Sequence, residues 1–240
     1  MRFHYIYVGT STSTCFRKRS RLRKSEFEGK VKFIMKYIFL HGLGQTSSSW
    51  EKTIDVMDDN LDIDCPNLFT LLQGREVNYS NLYQAFCEYC KTYLEPLNIC
   101  GLSLGGILAL QYVIEHPDRV NSVVLIGTQY AMPKKMLKFQ NTIFHIMPNS
   151  TFKQMGLEKK DAITLSNSMM NLDFQQDLHK IDCPVLIVCG EKDKANMKAS
   201  LQLKALIPNA KFNVIQNAGH EINIDAPRNL GIVLNEFFMR

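Results

Sequence analysis

Short apolar runs alternate with longer amphipathic stretches from residue 35 to the end of the chain. The short runs consist mainly of branched and aromatic side chains, which is typical of strands buried on both faces of a sheet. The longer stretches repeat their apolar positions with a helical period. The predicted strands are residues 37–40, 61–65, 97–101, 120–126, 185–189 and 211–215, and the predicted helices are residues 49–58, 80–94, 104–115, 195–206 and 226–238.

This alternation predicts an α/β fold, with a mostly parallel, doubly wound sheet flanked by helices. Residues 129–180 break the alternation, because they contain no clear strand and hold six of the chain's eleven methionines. We predict a short helical cap insertion there, in which methionine would suit a pliable apolar pocket wall. Alternatively, these apolar residues simply pack the insertion onto the body of the domain. Since no repeat or low-complexity linker divides residues 35–240, we expect one domain that carries this cap.

Residues 1–34 form an atypical basic leader, with nine Lys and Arg against two Glu. The net charge of the whole chain is +5, so the remainder is slightly acidic. The basic cluster follows the apolar patch, which does not fit a secretory signal peptide. A transit peptide and a divergent pair of first strands are two interpretations of the leader. We favour a third, that Met35 is the true start of the native protein, and N-terminal mass analysis tests it.

Composition narrows the class of protein further. No apolar run approaches the ~20 residues of a membrane span, and only the leader would favour nucleic acid. Seven cysteines, an odd number in a chain of ordinary size, indicate reduced thiols in a cytoplasmic protein. Cys87 and Cys90 have C-x-x-C spacing, but zinc needs a second ligand pair and a redox site needs a helix N-terminus. We therefore predict two cysteines on a core-facing helix, and no metal.

Ser103 lies between Gly101 and Gly105, after a strand-like run and before a helical one. A serine hydroxyl is a poor nucleophile, so it has to be presented and deprotonated. A sharp strand-to-helix turn presents such a serine, and flanking glycines give the strained turn room. The pattern and its setting predict that Ser103 is a catalytic nucleophile.

The base and its carboxylate partner are predicted from their places after two later strands. His220 follows the last predicted strand, so it lies at the same sheet edge as Ser103, where sites of open α/β sheets gather. A serine nucleophile needs such a histidine, and the histidine needs a carboxylate that orients it. Asp193 follows the preceding strand, and Glu191 is the rival carboxylate. We favour Asp193, because Glu191 is closer to the strand end and suits a turn or solvent.

Acyl chemistry also needs N–H donors for the oxyanion that develops. The N–H of Leu104, directly after Ser103, lies at a helix start and is the first candidate. The second is the N–H of Leu43, in a glycine-rich turn after the first predicted strand. His41 and Gly42 belong to the same turn, where we expect His41 to brace the loop by hydrogen bonds.

Together these segments resemble the signature elements of the α/β-hydrolase superfamily. The matching residues are 41–44 (HGLG), 101–106 (GLSLGG), 190–193 (GEKD) and 218–220 (AGH). The resemblance covers residues 35–240 and implies an acyl-enzyme mechanism with a cap. It implies a triad of Ser103, Asp193 and His220, and an oxyanion hole of Leu43 and Leu104. Two features depart from the family pattern: the basic leader takes the place of an antiparallel strand pair, and the cap is short.

Three functional classes follow for this sequence. The first is a serine hydrolase of small carboxylic esters, which needs no cofactor. The alternative is a lyase or carbon–carbon bond hydrolase of the same fold, acting on a diketone-like or quinone-precursor substrate. Such enzymes hold substrate carboxylates with cationic side chains, and the predicted cap contains lysines but no arginine. The third class is a binding protein without activity, which the complete set of three candidate residues disfavours.

Overall fold

A six-stranded parallel sheet forms the centre of the computed structural model, which describes residues 35–154 and 156–239. The expectations about residues 1–34 lie outside the described residues. The strands are β1 (Lys36–Leu40), β2 (Asp62–Asp64), β3 (Leu97–Leu102), β4 (Val120–Ile126), β5 (Val185–Gly190) and β6 (Lys211–Ile215). Every strand pairing is parallel. The predicted α/β fold and all six predicted strands are therefore confirmed.

The strand order, β2-β1-β3-β4-β5-β6, determines where a crevice opens. From β1 the chain moves outward to β2 and then returns to the other side of β1 with β3. The direction of winding therefore reverses between β1 and β3. In open α/β sheets, the crevice beyond the carboxyl ends of the strands at such a reversal is where ligands bind. The turns that follow β1 and β3 meet at this crevice.

Helices connect the strands and cover both faces of the sheet. They are α1 (Glu51–Ile54), α2 (Tyr79–Cys90), α3 (Leu104–Glu115), α4 (Lys134–Ile146), α5 (Asn149–Gln154), α6 (Lys159–Ser168), α7 (Lys194–Leu206), α8 (Ile222–Asp225) and α9 (Pro227–Phe238). Apolar side chains alternate along the strands between two cores. Helices α2, α3 and α7 bury their apolar positions in one core, whereas α8 and α9 bury theirs in the other.

Two helix ends differ from the predictions. The predicted helix 49–58 is a 3₁₀ turn, Ser47–Trp50, that runs into α1 and stops at Ile54. The predicted helix 80–94 stops at Cys90, after which hydrogen bonds of the 3₁₀ type tighten the chain. The Arg119 guanidinium then donates to the carbonyl oxygens of Tyr93 and Leu94 and holds the chain as it enters β3. Helix α8 was not predicted.

The segment between β4 and β5 holds the three helices α4–α6, which we call the helical insert (residues 134–168). Its Leu165 and Leu137 join the core that contains α2 and α3. Phe152 of α5 is fully buried and its ring lies edge-on to Phe144 of α4, with ring centroids 5.5 Å apart. The insertion of helices at this point of the chain agrees with the predicted fold.

Cysteine and membrane predictions can be compared with the same structure. Cys90 is buried and Cys87 half-buried, and both lie in the last turn of α2. Burial raises the pKa of both thiols. Both are free thiols. Among the described residues, no helix has the length and apolar character needed to cross a membrane.

Helix α9 covers β1 on one face of the sheet. The ring centroid of Phe238 lies 5.0 Å from that of Tyr37 and 6.2 Å from that of Phe39. Phe39 also packs edge-on against the fully buried Trp50, at 5.1 Å. Residues from the two ends of the described chain therefore form one aromatic cluster.

Candidate active site

Ser103 occupies the turn between β3 and α3 and has backbone angles of φ 53° and ψ −112°. A positive φ is uncommon for a residue with a side chain, and such strain concentrates at functional sites. The Ser103 N–H donates to the carbonyl oxygen of Ile126, the last residue of β4, at 2.9 Å. This bond fixes the strained turn to the neighbouring strand. Ser103 itself is half-buried.

Gly101 and Gly105 let the turn approach the sheet closely. A Cβ at Gly101 would lie 2.3 Å from the carbonyl oxygen of Gly105. A Cβ at Gly105 would lie 2.4 Å from the carbonyl oxygen of Leu40, in β1. Real Cβ atoms do not come this close to backbone, so any side chain at either position would push α3 away from the sheet. The predicted supporting glycines Gly101 and Gly105 thus lie where there is no space for a Cβ.

His220 and Asp193 form a direct pair at the same edge. His220 Nδ1 lies 2.7 Å from Asp193 Oδ2. The Asp193 side chain is 4 % exposed and that of His220 is 38 % exposed, so the histidine can meet a substrate while the carboxylate cannot. The rival carboxylate, Glu191, accepts instead from the N–H of Asn217.

Asn196 and Gln129 complete the surroundings of this pair, and sequence analysis did not identify either. Asn196 Nδ2 lies 2.9 Å from both carboxylate oxygens of Asp193 and 3.1 Å from His220 Nδ1. Because Nδ1–H of His220 donates to Asp193, the Asn196 amide hydrogens go to the carboxylate. Gln129 Nε2 donates to Asn196 Oδ1 at 2.7 Å and fixes the orientation of that amide. The one available signal in the sequence was the position of Asn196 three residues after Asp193. Asp193 is the N-cap of α7, and its side chain accepts from the Asn196 N–H.

The surroundings of Asp193 keep its carboxyl ionised. Burial alone would raise the pKa of this group, but the hydrogen bond from His220 and the electrostatic interaction with its ring act against it. The side-chain and backbone N–H groups of Asn196 lower it further, so the net pKa lies below its ordinary value of 3.8. A carboxylate that stays ionised can hold Nδ1 of His220 protonated, which leaves Nε2 free to accept a proton.

Gly127 brings the pair close to the serine turn. It directly follows β4, has φ 53°, and a Cβ there would lie 3.0 Å from His220 Nδ1 and 3.3 Å from Asp193 Oδ2. The preceding residue, Ile126, accepts the hydrogen bond from Ser103. The residues at the end of β4 therefore border both the Ser103 turn and the His220–Asp193 pair. Within the described structure, Ser103 Oγ forms no hydrogen bond to His220.

The turn after β1 also lies next to Ser103. A Cβ at Gly42 would lie 3.5 Å from the Cβ of Ser103. His41 is fully buried; its Nδ1 lies 2.9 Å from the carbonyl oxygen of Gly42, and its Nε2 accepts from the N–H of Leu68 at 3.1 Å. The second bond requires an unprotonated Nε2, so His41 is neutral with its proton on Nδ1.

The two predicted oxyanion donors, the N–H groups of Leu43 and Leu104, belong to the turn after β1 and to the start of α3. No acceptor for the Leu43 N–H occurs among residues 35–154 and 156–239. Leu104 is the first residue of α3, where N–H groups have no partner within the helix. No group of three or more His, Cys, Asp or Glu in the described part of the chain is arranged to hold a metal ion.

A separate cleft runs between residues 69–77, after β2, and residues 153–161 of the insert region. Ser103, Asp193 and His220 do not line it. Two of its charged side chains are already paired, Arg75 with Glu88 and Glu158 with Lys160. The cleft therefore lies between the segment after β2 and the insert region and is distinct from the Ser103 edge.

A doubly wound parallel sheet flanked by helices on both faces defines an α/β protein, and proteins of this class bind ligands at the carboxyl edge of the sheet. A profile of the family described as alpha/beta hydrolase fold matches residues 91–180 and 170–227, more than half of the chain. The chain therefore belongs to the alpha/beta hydrolase fold family and is an enzyme of that fold. The predicted superfamily is confirmed.

Individual relatives share this fold at low identity. A Bacillus subtilis protein provisionally named 2-succinyl-6-hydroxy-2,4-cyclohexadiene-1-carboxylate synthase is 22% identical, over 83% of this chain and 89% of the relative. A provisionally named carbamate hydrolase of Escherichia coli is also 22% identical, over 82% and 88%. The structure of a thermophilic esterase from Thermogutta terrifontis superposes with a TM-score of 0.71 and 17% identity, covering 85% of this chain and 89% of the esterase.

Proposed function

We propose that the chain is a serine hydrolase of small carboxylic esters that acts through an acyl-enzyme intermediate. The observation that carries the proposal is the 2.7 Å contact between His220 and Asp193, at the same sheet edge as the strained Ser103. A histidine held by a buried carboxylate, beside a serine on a strand-to-helix turn, is the arrangement that activates a hydroxyl.

In the proposed reaction, Ser103 Oγ attacks the ester carbonyl carbon while His220 Nε2 takes the hydroxyl proton. Asp193 orients the imidazole and stabilises its positive charge. The N–H groups of Leu43 and Leu104 donate to the oxyanion, and each such donor contributes on the order of 10²–10³ in rate. His220 then gives its proton to the leaving alcohol. Water, deprotonated by His220, attacks the acyl-enzyme and releases the acid and free Ser103.

Hydrolysis of p-nitrophenyl esters from acetate to octanoate tests the proposal, with the wild type and Ser103→Ala side by side. We expect kcat to fall by about three or more orders of magnitude in Ser103→Ala, because the nucleophile is lost. The chain length that gives the highest kcat/KM measures the size of the acyl pocket. Turnover that persists in a folded Ser103→Ala variant would assign the nucleophile elsewhere and overturn the proposal.

A carbon–carbon lyase is the second candidate, and the relative named as a carboxylate synthase favours it. In that reaction Ser103 and His220 would move protons on a substrate that bears carboxylates. Such a substrate needs cations, and residues 129–180 contain lysines but no arginine. A folded wild type without ester turnover, but with lyase activity that forms 2-succinyl-6-hydroxy-2,4-cyclohexadiene-1-carboxylate, would favour this candidate over the esterase.

A further inference from the structure

Gln45 and Asn223 form a buried pair of amides between two loops of the proposed active site. Gln45 belongs to the turn after β1, two residues beyond Leu43, and Asn223 belongs to α8, three residues beyond His220. Their side chains are 6 % and 0 % exposed. They lie 178 positions apart in the chain, so only the fold brings them together.

The two amides are complementary in donors and acceptors. Gln45 Nε2 donates to Asn223 Oδ1, and Asn223 Nδ2 donates to Gln45 Oε1, both at 3.1 Å. The other hydrogen-bond donors and acceptors of the two amides also have partners. Gln45 Nε2 donates to Glu221 Oε1 at 3.1 Å, Asn223 Nδ2 donates to the carbonyl oxygen of Ser49 at 3.2 Å, and the Gly42 N–H approaches Gln45 Oε1 at 3.4 Å. This pair therefore connects the residues next to Leu43 with the residues next to His220.

We infer that the Gln45–Asn223 amide pair positions the oxyanion loop against the histidine loop, and so acts on the transition state through Leu43 and His220. The inference rests on the proposed function. The oxyanion donor and the base act on the same tetrahedral carbon from different loops, and displacement by about 1 Å can cost on the order of 10²-fold in rate. Helix α8 and the turn after β1 belong to different connections between strands. A direct hydrogen bond between them therefore fixes their separation.

A carboxylate at either position would disrupt the amide pair although the side chain keeps its size. In Gln45→Glu the new carboxylate would face Glu221 Oε1 and Asn223 Oδ1, which are acceptors only. In Asn223→Asp the new carboxylate would face Gln45 Oε1 and the Ser49 carbonyl oxygen. Each change keeps the size and shape of the side chain while it replaces a buried hydrogen bond by repulsion between oxygens.

The test measures kcat and KM for the best p-nitrophenyl ester in Gln45→Glu, Asn223→Asp, Gln45→Ala, Asn223→Ala and the double alanine variant. We expect kcat to fall about 10- to 100-fold in each single variant, with KM within about threefold. The double variant should lose no more than about twofold beyond the worse single, because either change breaks the same link. Inhibition by an alkyl boronic acid, which mimics the tetrahedral intermediate, should weaken with kcat, and inhibition by the carboxylic acid product should not.

Asn98→Ala is the matched control. Asn98 is a buried asparagine in β3 whose Oδ1 accepts from Ser122 and Asn121. It lies five residues before Ser103 in sequence, roughly 16 Å away along the strand. This variant should lower Tm and leave kcat unchanged. If an alanine variant at the amide pair does not fold, the two isosteric variants supply the same measurement.

Two outcomes separate the inference from the function on which it rests. If Ser103→Ala abolishes turnover while the folded Gln45 and Asn223 variants keep kcat within threefold of wild type, the inference fails and the proposed function stands. Losses that add up in the double variant would also overturn the inference. Turnover that persists in Ser103→Ala would overturn the proposed function, and the inference with it.

Discussion

At the scale of single residues, both the backbone conformation and the neighbouring side chains restrict Gly127. Its φ of 53° is a conformation that costs a residue with a Cβ about 1–2 kcal/mol. The space beside it is filled by His220 and Asp193, at 3.0 and 3.3 Å from the place of a Cβ. A side chain here therefore strains the backbone and displaces the pair that we propose to be catalytic.

Gly127→Ala should lower both stability and activity. We expect a loss of about 1–3 kcal/mol in the free energy of unfolding, from positive φ and overpacking. We also expect kcat to fall by about 10-fold or more, because His220 has to move away from its bonded position. Urea unfolding and p-nitrophenyl ester kinetics measure the two effects. A variant with wild-type kcat would show that the His220–Asp193 geometry at this point does not limit the reaction.

The residues predicted for the site share one property. Ser103, Asp193 and His220 each follow an apolar run, so the sequence alone predicts that they lie at one sheet edge. Asn196 and Asn223 have no such signal, because a polar residue in a helix is ordinarily solvent-exposed. Their burial results from tertiary contacts with partners far along the chain, which no local pattern records.

At the scale of elements, the helical insert has its own small core. Phe152 is fully buried although α5, the helix that carries it, has only six residues. A helix this short is not stable in isolation, so its packing against Phe144 and α6 holds it in place. The insert follows β4 and precedes β5, whose mutual hydrogen bonds do not involve it.

Phe152→Ala should therefore loosen the insert before the sheet. Removing a fully buried phenylalanine costs about 3–5 kcal/mol of local packing. We expect faster amide hydrogen exchange in residues 134–168 and little change in β3, β4 and β5, as measured by mass spectrometry. Exchange that accelerates equally in the sheet would mean that the insert and the sheet unfold as one unit.

Elements differ in how well the sequence predicts them. Strands β3, β4 and β5 are buried on both faces, so their apolar runs end where the strands end. Helix ends are less visible, because competition between local hydrogen bonds decides them. Helix α2 stops at Cys90 although apolar residues continue, and the N–H groups of Thr92 and Tyr93 bond to carbonyl oxygens three residues back instead of four.

At the scale of the whole molecule, the buried His41 links stability to pH. Burial lowers the pKa of His41 below its ordinary value of 6.5, and the hydrogen bond to Gly42 offsets this only in part. The unfolded chain therefore binds a proton at pH values where the folded chain does not. The contribution of His41 to stability is complete above about pH 6.5 and is lost as the pH falls toward the lower, folded-state pKa.

His41→Gln isolates this effect. The glutamine can still accept from the Leu68 N–H, but it does not titrate. At pH 7.5 we expect the variant to be less stable than the wild type by about 1–3 kcal/mol, from the lost bond to Gly42. Between pH 7.5 and 5.5 the wild type should lose more unfolding free energy than the variant. Equal losses in urea titrations at the two pH values would show that His41 does not carry this dependence.

The aromatic cluster of Tyr37, Phe39 and Phe238 has a consequence for the order in which the protein is completed on the ribosome. N-terminal segments generally begin to fold first during synthesis. Strand β1 is the first described strand to emerge, and the helix that covers one of its faces is the last. Nascent chains therefore carry an uncovered aromatic surface until α9 leaves the exit tunnel, and chains cut short before Phe238 keep it.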